Sequence, residues 1–227
     1  MISGGTSNIK SNIKKLIYLV VLFAMSVCQA GSYDDFFMAI KRDDAAEVSQ
    51  LLNLGFDPNT LNPTGIPGLV LAIREPSLKV ADVLMNWPKT NIEARTPQDE
   101  SPLMLAALLG LEEVCQRLID KDADVNKPGW TPLHYAATRG HLEVMQLLID
   151  HFAYIDAASP NNTTPLMMAA QYGTPLTVKL LLEAGADPLL KNDLGLTAID
   201  FAQRSSQLDS VEMISSFIRG RQPKGVW

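Results

Sequence analysis

Residues 131–140 read TPLHYAATRG, and the same outline returns as SPLMLAALLG at 101–110 and TPLMMAAQYG at 164–173. Fainter copies are PGLVLAI from Pro67, TAIDFAQ from Thr197 and DDFFMAI from Asp34. One small residue keeps its place in all six, as Ala39, Ala72, Ala106, Ala136, Ala169 and Ala202, at successive gaps of 33, 34, 30, 33 and 33 residues. Self-similarity at such a period marks an architecture of stacked units, each too small to bury its own apolar face.

The copies are followed by second apolar-periodic segments: EVSQLLNLGFDPN, KVADVLMNW, LEEVCQRLIDKDADVN, HLEVMQLLIDHFAYID and TVKLLLEAGADP. Their spacing predicts a second amphipathic helix in each unit. Thr131 is placed to cap the first helix, and Pro132 follows where a missing N–H costs nothing. Gly140 and Gly173 stand where that helix must stop and the chain reverse, positions suited to positive φ. The recurring alanine is small because helices of neighbouring units approach closely there. Leu147, Leu148, Leu181 and Leu182 are expected to fill the core between layers.

On these residues the chain resembles the ankyrin-repeat family, whose TPLH opening stands complete at Thr131–His134. The resemblance runs from residue 33 to about 220. It implies an all-α solenoid of about six helix-turn-helix repeats with short β-hairpin-like loops, near 33–62, 63–97, 98–127, 128–160, 161–193 and 194–220. Asp34, Asp35, Lys41, Arg42, Asp43 and Asp44 suit an outer cap on the first repeat, and the last ends in SSQLDS and the polar RGRQPKG, with 221–227 a polar tail. Sealed ends predict a monomer.

The pattern breaks in three places. The loop ADVNKPGWTP, before the fourth repeat, is three residues short, which should blunt one finger of the ridge and open a notch. Asp122 and Phe152 occupy the place of Gly185, so their turns are expected to be strained or differently shaped. Pro76 and Pro88 interrupt the second repeat.

The N-terminus carries a different signal. Lys10, Lys14 and Lys15 precede a thirteen-residue apolar stretch, Leu16–Cys28, and small residues stand at Cys28 and Ala30. This is the layout of a secretory signal peptide over 1–30, with cleavage after Ala30; an uncleaved anchor is the alternative, although the stretch falls short of the ~20 residues that span a bilayer. Export is therefore expected, to the periplasm if the source is Gram-negative and otherwise out of the cell, with no stable membrane insertion after cleavage. The remainder holds 16 basic and 25 acidic side chains, a net charge of −9, which argues against nucleic acid as a partner. It also keeps one cysteine, Cys115, so that no internal disulfide can form.

Catalytic, metal-binding and cofactor-binding motifs are not apparent: HExxH, paired CxxC, a glycine-rich phosphate loop and GxSxG do not occur. His134 and His141 fall where the resemblance implies imidazoles that hydrogen-bond between loops. The same resemblance places the partner-binding surface on a concave face formed by the fingers and first-helix ends. It maps here to Lys41, Arg42, Leu108, Leu109, Trp130, Thr138, Arg139, Thr163, Gln171 and Tyr172. Leu108, Leu109, Trp130 and Tyr172 form an apolar centre with Arg139 among them, the composition of a binding hot spot; the bland reading is that Trp130 and the leucines are ordinary packing. The function implied is a protein–protein interaction scaffold in the periplasm. Alternatives are a secreted effector that binds host proteins, and an immunity protein or accessory factor for a periplasmic enzyme.

Overall fold

The computed structural model describes residues 31–221; the signal-peptide reading of 1–30 and residues 222–227 of the tail lie outside them. Twelve helices follow one another in six antiparallel pairs: α1 (31–41) with α2 (Ala45–Asn53), α3 (Gly68–Arg74) with α4 (Leu78–Asn86), and α5 (Pro102–Leu108) with α6 (Glu112–Ile119). The series continues as α7 (Pro132–Arg139) with α8 (Leu142–Asp150), α9 (Pro165–Tyr172) with α10 (Pro175–Glu183), and α11 (Ala198–Arg204) with α12 (Leu208–Arg221). From α3 onward each first helix packs on the next first helix, while α8 packs on α6 and α10 and α12 packs on α10, so the chain forms two parallel rows. None of the described helices is long and apolar enough to cross a membrane.

The recurring alanine explains the spacing of the first row. All six are 1% exposed or less, so no larger side chain fits between neighbouring first helices. Leu103, Leu133, Leu166, Leu118, Leu148 and Leu181 fill the layer between the rows and are sealed completely. Burying each contributes about 2 kcal/mol. Leu147 departs from its expected core role: it is half-buried and faces outward between second helices, because Leu148 already takes the inward position of α8. At the N-terminal end aromatic packing provides the seal. Phe36 meets Phe37 and Phe56 with ring centroids 5.2 and 4.7 Å apart, and the Tyr33 hydroxyl donates to the Leu61 carbonyl at 3.0 Å.

The fingers between repeats are closed turns without strands. Among the described residues the sole bridge is Leu61 with Pro67. The amides of Asn62, Thr96, Ser159 and Asn192 donate to the carbonyls of Ile66, Glu100, Thr163 and Leu196 at 2.9–3.0 Å. A side-chain oxygen of the same four residues accepts a backbone amide inside each turn, which supplies the bonds a ladder would otherwise provide. The expected blunting occurs: no such bond closes 126–130 among the described residues. Lys127 is buried there and forms an ion pair with Asp99 of the preceding finger.

The loops that follow the second helices are tied to one another in series. Side chains of Asn59, Glu93, Asn126 and Asp156 accept the backbone amides of Asn91, Asp124, Tyr154 and Asp187 in the next repeat, at 2.7–3.2 Å. Gly140 has φ 74°, as expected, and Asp122 and Phe152 are both held at φ 63°, a left-handed region that a short polar Asp tolerates and a bulky Phe disfavours. Gly173 does not follow the reading made for it. Its φ is −82°, and glycine is needed there for space, since a Cβ would lie 2.7 Å from Thr177 Oγ1 and 2.8 Å from the carbonyl oxygens of Ala137 and Ala169. The polar tail also begins later than RGRQPKG suggests, because α12 continues to Arg221, whose guanidinium caps the Phe217 ring at 4.3 Å. Pro76 lies in the turn between α3 and α4 and Pro88 just beyond α4, so neither breaks a helix.

Candidate partner-binding surface

The ends of the first helices and the fingers together form the inner face of the stack. The residues two and three after each recurring alanine define its ridge: Lys41, Arg42, Arg74, Glu75, Leu108, Leu109, Thr138, Arg139, Gln171, Tyr172, Arg204 and Ser205. Five of these are cationic and one is acidic, the reverse of the balance of the chain. Arg42 pairs with Glu47 at 3.2 Å and Arg74 with Glu100 at 2.9 Å. Lys41, Arg139 and Arg204 form no ion pair among the described residues, although the Arg204 charge helps to hold the Asp200 carboxyl below its ordinary range.

Its centre is built around Trp130. The half-buried indole stands at the end of the shortened loop, edge-on to His134 with centroids 5.2 Å apart. It lines a hollow of about 240 Å³ with Leu108, Tyr135, Thr138 and Met168. It also lines a second hollow of about 330 Å³ on the C-terminal side, which Thr163, Gln171, Tyr172, Phe201 and Arg204 help to enclose. Trp130 is thus the wall between an apolar recess and a larger one with polar and cationic sides.

His134 holds the wall in place. Its Nδ1 accepts the Thr131 amide at 3.1 Å and lies 2.9 Å from the Thr131 hydroxyl, so the ring hydrogen sits on Nε2 and is donated to the Thr163 carbonyl at 2.9 Å. Burial lowers its pKa to about 4 against the opposing pull of the Thr163 carbonyl, and the ring is neutral at ordinary pH. His141 makes the corresponding tie in the other direction, its Nε2 donating to the Leu108 carbonyl at 3.0 Å. Cys115 is sealed in the core and burial pushes its thiol up to about 12. A neutral, doubly bonded imidazole and a protonated buried thiol offer neither base nor nucleophile at the surface.

The residues expected to contact a partner divide three ways. Leu108, Trp130, Thr138, Gln171 and Tyr172 line the two hollows, with Tyr172 56% exposed. Leu109 and Arg139 lie on the rim, exposed but outside the hollows. Thr163 borders the second hollow yet is 2% exposed, with its carbonyl taken by His134, so its part is to position the finger. Tyr135, Met168, Phe201 and Arg204 also line the hollows, outside the set that the resemblance indicates. The first three precede the recurring alanines Ala136, Ala169 and Ala202 by one residue, so the repeat register alone could have found them.

A family model described as "Ankyrin repeats (3 copies)" matches residues 36–128, 69–159, 124–192 and 153–220. The mouse "Ankyrin repeat and SAM domain-containing protein 6" is 35% identical over 128 residues, 54% of this chain and 14% of that protein. The human "BCL-6 corepressor-like protein 1" is 32% identical over 126 residues, again 54% of this chain but 7% of that protein. The chain thus spans a small fraction of these relatives. A solved chain from the complex of the predatory endopeptidase Bd0816 of Bdellovibrio bacteriovorus with the immunity protein Bd3460 superposes with a TM-score of 0.70. It is 28% identical, and the match covers 80% of this chain and 97% of that one. An ankyrin repeat domain of Acinetobacter baumannii shares the fold at a TM-score of 0.68 and 23% identity, over 80% of this chain and 96% of that one.

Proposed function

The chain belongs to the ankyrin-repeat family, and from that premise we propose that it is an exported binding module that holds one partner protein on its inner face, in the periplasm of a Gram-negative cell. The observation that carries the reading is the pair of hollows divided by Trp130, with Arg204 on the wall of the larger one and the exposed Arg139 on the rim. An aromatic wall between two recesses can anchor two adjacent side chains of a partner, and cations beside them suit its carboxylates. Export is supported by the composition of residues 1–30. Restraint of an exported hydrolase is the form of binding we favour, on the likeness to a chain from an endopeptidase–immunity protein complex that is matched over 97% of its length.

The test uses the processed protein as bait in a periplasmic extract, with bound proteins identified by mass spectrometry. Exchange of Leu108, Leu109 and Trp130 for charged residues should abolish capture of a partner retained by the wild type, a loss of at least about 100-fold for a desolvated anchor. Helical circular dichroism should stay unchanged. Capture that survives the triple exchange would remove the inner face from the function, and a captured hydrolase whose activity is unaffected would remove the inhibitory role.

A further inference from the structure

The outer row carries a second surface of opposite character. Between α8 and α10, and reaching the first turn of α6, runs a groove of about 500 Å³. Its floor is Leu142, Leu147, Leu176 and Leu180, and Leu176 is 61% exposed. Its rim is Glu112, Glu143, Asp150 and Glu183, against which the lone cation is Lys179, already 3.7 Å from Glu183.

The position of two of these acids adds to the imbalance. Asp150 and Glu183 end α8 and α10, where the carbonyl end of the helix is itself negative, and neither helix has a basic residue in its last turn. The neighbouring α6 is built the ordinary way, with Arg117 in its last turn reaching across to Asp82. One end of the groove therefore gathers two carboxylates and two helix C-termini, with the exposed Lys179 the sole compensation on its walls.

We propose that this groove docks a cationic amphipathic helix of a protein partner, with its aliphatic stripe on the leucines and its Lys or Arg side chains at the acidic rim. A helix fits because its ridge of side chains can enter the furrow between α8 and α10. An extended strand would find walls whose backbone groups are already spent within helices, leaving its own amides unpaired. The four acids repel membranes and nucleic acid alike, so an anionic ligand is the wrong occupant. The site is distinct from the inner face and shares no lining residue with the hollows around Trp130.

A fluorescent peptide of roughly 18 residues, five helical turns with leucines on one stripe and lysines on its flanks, tests this by anisotropy against the whole protein. It should bind, and should weaken about tenfold or more as salt rises through the range where exposed pairs are screened. Asp150→Lys with Glu183→Lys should lower affinity at least as much, and the milder Asp150→Asn with Glu183→Gln keeps the result readable if the reversal unfolds the protein. Trp130→Ala should leave the affinity unchanged. Absence of binding, equal binding of a peptide with glutamates in place of lysines, or indifference to both double variants would overturn the proposal, as would a Trp130→Ala loss that transferred the peptide to the inner face.

Discussion

The two rows of the stack differ in charge as much as in position. Along the inner ridge five cations face one acid, while the outer groove sets four acids against one lysine that is already paired. A chain whose residues beyond 30 carry a net −9 has no need to segregate its charge in this way for folding, since the buried layer between the rows is overwhelmingly apolar. Both rows are tied from repeat to repeat, the outer through the loops after its helices and the inner through imidazoles. Directional bonds from His134 and His141 link the inner fingers and helix ends, whereas the outer groove is lined by half-exposed leucines that impose little geometry. Directed contacts favour one shape of partner, and an apolar furrow with a charged rim favours a class of helix.

The largest expected effect breaks the comparison by acid. His134 has a pKa lowered to about 4 in the fold, against about 6.5 in the unfolded chain. The unfolded state therefore binds the extra proton between these values, so the contribution is complete above about 6.5 and lost as pH falls toward 4, about 3 kcal/mol in all. Denaturant titrations at several pH values should show that slope, and His134→Asn should flatten it. Hydrogen exchange at pH 5 should show the Thr131 and Thr163 regions opening before the second helices do. Uniform opening across both rows would mean that the inner face is not held by the imidazole.

An intermediate effect sharpens the same contrast. Exchanging Arg139 and Arg204 for glutamine should weaken capture on the inner face about tenfold and reduce its dependence on salt, acting mainly on association. Peptide binding in the outer groove should be unaffected, because neither guanidinium lines it. A fall in both affinities would show that the two surfaces are coupled through the stack.

Much of this was legible in the sequence because the repeat fixes position. The alanine register located six sealed positions in the first row, and the three missing residues before Thr131 located the blunted finger. Gly173 was placed correctly but for a different physical cause, since Thr174 and Pro175 start the next helix at once and crowding by Ala137, Ala169 and Thr177 is what excludes a side chain. The sequence position of Thr163 in a finger points to contact, but the residue is buried and its carbonyl is taken by His134, 29 residues away. The repeat register already sets Asp150 and Glu183 at equivalent places, each 14 residues after its alanine, but how far the leucines between them stay open depends on packing that the pattern does not show.

The smallest expected effect lies in the turns after the second helices, on the outer side. Gly55 and Gly185 take φ of 96° and 104° there, and Phe152 takes 63° with 84% of its surface exposed. A left-handed phenylalanine costs about 1 kcal/mol and, being this exposed, recovers little by burial. Phe152→Gly should therefore raise stability by somewhat less than that, a shift in midpoint of about 2 °C for a domain of this size, since glycine also loses more freedom on folding. Its carbonyl would still accept from Asn126 Nδ2, now at 2.8 Å, so the tie between the two repeats survives the exchange. Capture on the inner face should not change. A loss of stability would instead assign the ring packing that its exposure does not show, and a loss of capture would extend the binding surface beyond the fingers to the far edge of the fourth repeat.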